Sequence, residues 1–332
     1  MPTGRKHIAA LAATLIGLIT ALAGIGLGVA TPTASAEPDL ATVKKQVEKY
    51  DHLAEQASER YNDARVKLTE TRTKLRALNA DLSRQEGVVA TMRDQVAAMV
   101  VDQYQGDALS TTSQVVLSSN PDAFLDNLNA VSAYNSQRGE VMKQFSTQLE
   151  RLQLRKAAVK IEAARLEALE KKMAAEKAEI DDKAAKAQAV LDDLEAEERA
   201  KLLGGDFSGP LPDVEASGRA AAAVRFAMAQ VGKAYVYGAA GPNAYDCSGL
   251  TMRAWGAAGV GLPHSSRAQM GSGARVSEGE LRPGDLVFYY SPVSHVGMYI
   301  GNGMIVNALN PGSGVRVSGL HSMPYVGAVR PG

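Results

Sequence analysis

Tyr245-Asp246-Cys247-Ser248-Gly249-Leu250, running on into Thr251-Met252-Arg253-Ala254-Trp255, contains the chain's only cysteine. The stretch reads as a loop breaking into a helix, with Asp246 as N-cap and the apolar face starting at Leu250. A thiol there sits over the positive end of a helix dipole, which favours the thiolate and hence a nucleophile. A single cysteine also rules out an intrachain disulfide.

Downstream of this helix the period changes to that of strands. Leu286–Tyr290 and His295–Ile300 are apolar runs, and Gly301-Asn302-Gly303 turns the second into Met304-Ile305-Val306-Asn307-Ala308. Val315–Val317 and Val326–Arg330 extend the set. Upstream, Arg219–Val231 reads as a helix with Ala221, Val224, Met228 and Val231 inward, and a short helix is expected at Ser266–Met270. Helices first and strands later give an α+β domain, with helices packed on an antiparallel sheet.

Thiol catalysis needs a base, a group that orients the base, and an oxyanion donor. His52, His264, His295 and His321 are the candidate bases once the first residues are set aside. His295 stands out because it begins an apolar strand, where a polar ring is otherwise unexpected. Asn307 is likewise a polar residue in an apolar strand. If the tight turn pairs the two strands, Asn307 can hydrogen-bond the imidazole and fix its tautomer. His264 and Cys247 make only two ligands, so no metal site is expected.

The first two thirds differ in kind. From Leu40 to Met99 apolar residues recur in steps of three and four, broken only by Thr71 and Gln85. That is a coiled-coil seam, with Lys44, Lys45, Glu48, Arg72, Lys74 and Arg76 on solvated faces. A second seam reads Phe145, Leu149, Leu152, Lys156, Val159, Ala163, Leu166, Glu170, Met173, Lys177 and Ile180, continuing to Leu194. Its polar members Lys156, Glu170 and Lys177 suggest a marginal or movable pair. Two such helices fold back most simply as an antiparallel hairpin, each arm on the order of 100 Å. A parallel dimer is the competing arrangement. Asn120-Pro121-Asp122 restarts the helix, and a small helical tip is expected around 105–135. Its apolar residues, including Val115, Leu117, Phe124 and Leu125, suit either a local cap or a partner-docking surface.

These readings divide the chain into an export segment over 1–36, a coiled-coil hairpin over 37–203, a linker over 204–218 and a C-terminal domain over 219–332. The export segment has a basic start (Arg5, Lys6), an apolar run from Ile8 to Ala30 and the small-x-small site Ala34-Ser35-Ala36. It is also long enough to be kept as an anchor. Lys plus Arg number 36, as do Asp plus Glu, so no charge excess points to nucleic acid.

Four blocks in order carry a resemblance: Gly232–Gly238, Tyr245–Leu250, Leu281–Phe288 and Ser294–Gly303. The domain resembles the NlpC-type cell-wall cysteine peptidases, compact relatives of the papain fold. The resemblance implies Cys247 as nucleophile, His295 as base and Asn307 in the third polar position, which in the family is often His. It places Tyr235 near the oxyanion, and Asp246, Ser248 and Ser266 along the substrate cleft. It implies no cofactor and no metal. The substrate it implies is peptidoglycan, commonly cut between D-glutamate (or isoglutamine) and a diamino acid. The whole layout is similar to secreted division hydrolases, in which a septal transporter-like membrane complex grips the hairpin tip and relieves autoinhibition. The alternative is a non-catalytic envelope scaffold that only binds the wall.

Overall fold

The computed structural model describes residues 39–104, 121–194, 198 and 216–332. The export segment, the tip sequence over 105–120 and the linker over 204–215 lie outside the described residues.

Helix α1 (Leu40–Tyr104) and helix α2 (Pro121–Asp192) form the two arms. At 1.5 Å per residue, 65 and 72 residues give arms about 100 Å long. Cross-arm bonds join Arg60 to Glu176, Lys74 to Glu162, Asp81 to Arg155 and Gln85 to Gln148. Numbers rise along one arm as they fall along the other, so the pair is an antiparallel hairpin within one chain. The segment from Pro121 to 135, expected in a separate helical tip, is the first part of α2 itself. The expected linker also ends earlier than 218, because Gly218 is already helical.

The seam of α1 is as expected, with Val43, Val47, Ala54, Ala57, Ala64 and Leu68 buried. In the seam of α2, Phe145, Leu152, Val159, Leu166, Met173, Ile180, Ala184, Ala187, Leu191 and Leu194 turn inward as expected, and the positions between them are corrected by one residue. Lys156, Glu170, Lys177, Leu149 and Ala163 are exposed, and Gln148, Arg155, Glu162, Leu169 and Glu176 turn inward instead. The inward charges are satisfied across the hairpin: Glu162 accepts from Lys74 at 3.0 Å and Glu176 from Arg60 at 2.8 Å. A long basic side chain can cover the seam with its stem while its head stays wet. Apolar counting cannot see such a position.

In the C-terminal domain, helix α3 (Gly218–Met228) packs on helix α4 (Cys247–Ala257). Two-residue strands β1 (Ala234–Tyr235) and β2 (Ala244–Tyr245) run parallel just ahead of α4. Helix α5 (Ser266–Gln269) follows. The sheet comprises β3 (Ala274–Val276), β4 (Leu286–Tyr289), β5 (His295–Gly301), β6 (Met304–Ala308), β7 (Val315–Gly319) and β8 (Tyr325–Arg330). Its order is β3-β8-β4-β5-β6-β7, antiparallel throughout. Asn302 and Gly303, at φ 53° and 67°, make the left-handed turn that joins β5 to β6. β1, β2 and β3 were not foreseen, being too short to show a period.

Two apolar clusters fill the domain. One packs Val224, Leu250 and Trp255 against Phe288, Met298 and Val317; the other joins Val287, Tyr289, Ile305 and Leu320 on the far side of the sheet. Among the described residues, none of the hairpin belongs to either cluster. The domain therefore buries its core by itself, and the hairpin is an addition to a finished fold.

Candidate active site

Cys247 is the first residue of α4. Asp246 caps the helix as expected, its Oδ1 accepting from Gly249 N at 2.6 Å. Gly249 is required there, since a Cβ would lie 2.2 Å from the Ala239 carbonyl oxygen. Gln269, fully buried, donates to Ser248 O and Pro263 O and accepts from Thr251 Oγ1. It ties α4 to the loop that carries His264, Ser265 and Ser266.

His295 opens β5 and brings its ring to the thiol. Sγ of Cys247, an imidazole nitrogen of His295 and a carboxylate oxygen of Glu55 lie within 4.8 Å of one another. Glu55 belongs to α1. It accepts from His295 Nδ1 at 2.5 Å. That contact is a hydrogen bond between two buried, oppositely charged groups.

Asn307 sits opposite Gly297, two residues along β5 from His295. Alternation puts all three on one face. A side chain at 297 would collide with Ile305 Cδ1 at 2.8 Å, so glycine keeps this face open beside the ring. The amide–imidazole bond does not close to ordinary hydrogen-bond geometry here. Asn307 Nδ2 donates to Ser318 Oγ at 3.1 Å, while Asn307 Oδ1 and His295 Nε2 have no hydrogen-bond partner among the described residues. Asn307 still helps to raise the imidazole pKa. Tyr235 is buried with its hydroxyl unpartnered among the described residues, a free donor close enough to feel Cys247.

Helix α1 runs through this cleft on a second, polar stripe: Asp51, Glu55, Ser58, Glu59 and Asn62. The spacing of three and four is helical, offset from the seam. Glu59 is held most completely. Its Oε2 accepts from Ser266 N at 2.6 Å and Ser266 Oγ at 2.7 Å, and its Oε1 from Ser248 Oγ at 2.7 Å. Oε1 also accepts from Cys247 Sγ at 3.7 Å. Asn62 donates to Asp246 at 3.0 Å, and Asp63 accepts from Ser265 and Arg267. Arg65 donates to His264 Nδ1, whose Nε2 donates to Asp246 at 2.8 Å. Ser248, Ser266 and Asp246 thus hold the polar stripe of α1 beside Cys247, and Asp246 is a helix cap as well. The missed residues are those of the stripe, together with His264 and Gln269. The recurrence of acids at 51, 55 and 59 was their signal.

The charges oppose a reactive thiol. Burial, then the charges of Glu59, Glu55 and Asp246, push Cys247 well above its ordinary pKa, the Val296 N–H pulling slightly back. The helix dipole is overruled. Burial alone would lower His295, but Glu55 outweighs it and the net is a raised pKa. Burial would raise Glu55, and His295 outweighs that in turn. Imidazolium and Glu55 carboxylate form the buried ion pair, and the cysteine stays a neutral thiol. Glu59 is pushed up by burial and by Asp246.

Residues 232–328 match the NlpC/P60 family. A probable endopeptidase of Corynebacterium glutamicum is 42% identical over 109 residues, which is 33% of this chain and 52% of that protein. A probable endopeptidase of Mycobacterium tuberculosis is 46% identical over 102 residues, 31% of this chain and 26% of the relative. A solved structure of the peptidoglycan hydrolase RipB from Mycobacterium tuberculosis is 28% identical, covering 40% of this chain and 76% of that one, with a TM-score of 0.32. The C-terminal part of this chain is an NlpC/P60 domain with the papain-like α+β fold, preceded by a helical hairpin. The chain spans about half the length of the first relative and about a quarter of the second.

Proposed function

We propose that the chain is an exported peptidoglycan endopeptidase held shut by its own hairpin. The observation that carries this reading is the pair of glutamates on α1, one on His295 and one in the Ser248–Ser266 cradle beside Cys247. With α1 withdrawn, the three carboxylate-lined contacts reduce to Asp246. The helix dipole and the imidazolium then favour a thiolate.

The reaction follows. Sγ of Cys247 bonds to the scissile carbonyl carbon while His295 holds the thiol proton. Tyr235 OH donates to the developing oxyanion. The C–N bond breaks as His295 passes its proton to the leaving amine. Water, deprotonated by His295, then breaks the S–C bond and frees the acid. Asn307 positions the ring.

The cradle that binds Glu59 supports a substrate class as well. A D-glutamyl residue linked through its γ-carboxyl keeps a free α-carboxylate beside the scissile bond, matching the charge and size that Ser248 and Ser266 hold here. The bond proposed is D-glutamyl to diamino acid. Residues 216–332 should release stem peptides from purified cell wall, with new D-glutamyl termini by mass spectrometry, and Cys247→Ala should release none. Equal release by the two would sink the peptidase reading.

Export rests on the basic start, apolar run and Ala-Ser-Ala site. For release of the hairpin we propose a septal membrane complex at its distal end, where Tyr104, Leu125, Leu128 and Tyr134 are exposed.

Asp51 gives the docked state a pH dependence. Burial, opposed by the Tyr237 hydroxyl, raises it to about 6, with Glu55 and Glu48 adding to the rise. A carboxyl whose pKa is raised by docking favours docking fully below its ordinary value, and the benefit is lost as pH rises through about 6. Glu59, also raised, acts in the same direction. The intact chain, rated against residues 216–332, should be about tenfold more inhibited at pH 5 than at pH 7.5, and Asp51→Asn should flatten the ratio. A steeper ratio in Asp51→Asn would show the assignment to be wrong.

A further inference from the structure

A pocket of about 390 Å³ stays open beside Glu55, the partner of His295, between α1 and the sheet. It lies at the Glu48–Asp51 end of the stripe. The Glu59 cradle lies at the other end, so the two flank the thiol. From the domain, the pocket takes Tyr290, Asn310, Ser318 and Ser322, and one charged residue, Arg316. Arg316 stands directly opposite Asn307 across β6 and β7. Gly297, Asn307 and Arg316 therefore form a row over three neighbouring strands, on one face of the sheet, with His295 two residues along β5 on the same face. Arg316 is half-buried, and its side chain makes no hydrogen bond or ion pair among the described residues.

From α1 the same pocket takes Glu48, Asp51 and Glu55. The plug thus sets carboxylates on both sides of the thiol: Glu59 among hydroxyls on one, and an acidic run opposite a lone guanidinium on the other. An element that fills a cleft copies the charge the cleft is built to receive. We propose that this pocket is the leaving-group subsite and that Arg316 binds a free carboxylate on the residue that follows the scissile bond. A diamino acid with a second carboxyl group fits; one whose carboxyl is amidated, or that lacks it, loses the partner. A guanidinium fork suits a carboxylate better than a point charge does. The inference rests on the peptidase reading and adds the leaving-group specificity to it.

The test compares two synthetic stem peptides, D-glutamyl-diaminopimelate with its side-chain carboxyl free or amidated, cleaved by residues 216–332. The wild-type domain should prefer the free acid by about 10- to 100-fold in kcat/KM, mostly through KM. Arg316→Gln should lose that preference, its kcat/KM on the free acid falling toward its own value on the amidated peptide. Arg316→Lys should restore part of it. Activity on the amidated peptide also reports that each variant is folded. An Arg316→Gln domain that keeps the full preference overturns the subsite and leaves the peptidase reading standing. A wild-type domain that cleaves neither peptide overturns the peptidase reading, and the subsite with it.

Discussion

The intact chain carrying Glu55→Ala should hydrolyse stem peptides about 10²- to 10³-fold faster than the wild-type chain. Removing one partner of a buried ion pair costs about 3–5 kcal/mol, because the other charge is left buried and unpaired. Here the cost falls on the docked form alone. Once α1 leaves, His295 regains water and the thiol. A loss of about 3–4 kcal/mol in docking multiplies the open population by 10²–10³. The neighbouring glutamate should behave differently, and that contrast is the stronger test. Glu59→Gln keeps an oxygen for Ser266 and turns its amide N–H toward Ser248 Oγ, which can accept, while removing a charge that burial and Asp246 both oppose. It should hold the hairpin as firmly as the wild type or more so. Glu55→Gln should release it, since His295 loses its counter-charge. Release by Glu59→Gln and not by Glu55→Gln would reverse the electrostatic account.

Alkylation of Cys247 should change by a comparable factor. In the docked chain the sulfur is 1% exposed, and three carboxylates and burial hold it as the thiol. Iodoacetamide attacks through the thiolate and needs access. At neutral pH the intact chain should react about 10²- to 10³-fold more slowly than residues 216–332. Within the isolated domain, His295→Ala should slow the reaction again, because the thiolate loses its imidazolium partner. A scaffold with an inert cysteine predicts a domain thiol no faster than a free one, with no effect of His295. The rate in the domain therefore separates enzyme from scaffold without any knowledge of the substrate.

The C-terminal domain was almost fully legible in the sequence. The strands of β4 to β8 are long and apolar enough to show their period, and Asn302-Gly303 sets their register. The cysteine, histidine and asparagine stood out because polar groups at a helix start or inside an apolar strand need a reason. The first seam was legible for the same cause. The second was misplaced by one residue only at its polar positions and their neighbours, since Arg155, Glu162 and Glu176 face inward because α1 offers them partners. The polar stripe on α1 was hidden more deeply. Asp51, Glu55, Glu59 and Asn62 have the composition of a solvated face, and what buries them is a domain more than 180 residues away in sequence. Burial of charge by a distant partner leaves no local pattern beyond the spacing itself. The state of the thiol was misjudged for that reason: the helix dipole was in view, and the glutamates that outweigh it were not.

The rate of stem-peptide hydrolysis by the intact chain, set against residues 216–332 in the same assay, tests the central claim most directly. A hairpin that occupies the cleft predicts an intact chain at least about 100-fold slower, with Glu55→Ala closing most of the gap. Equal rates for the intact chain and the domain would contradict it.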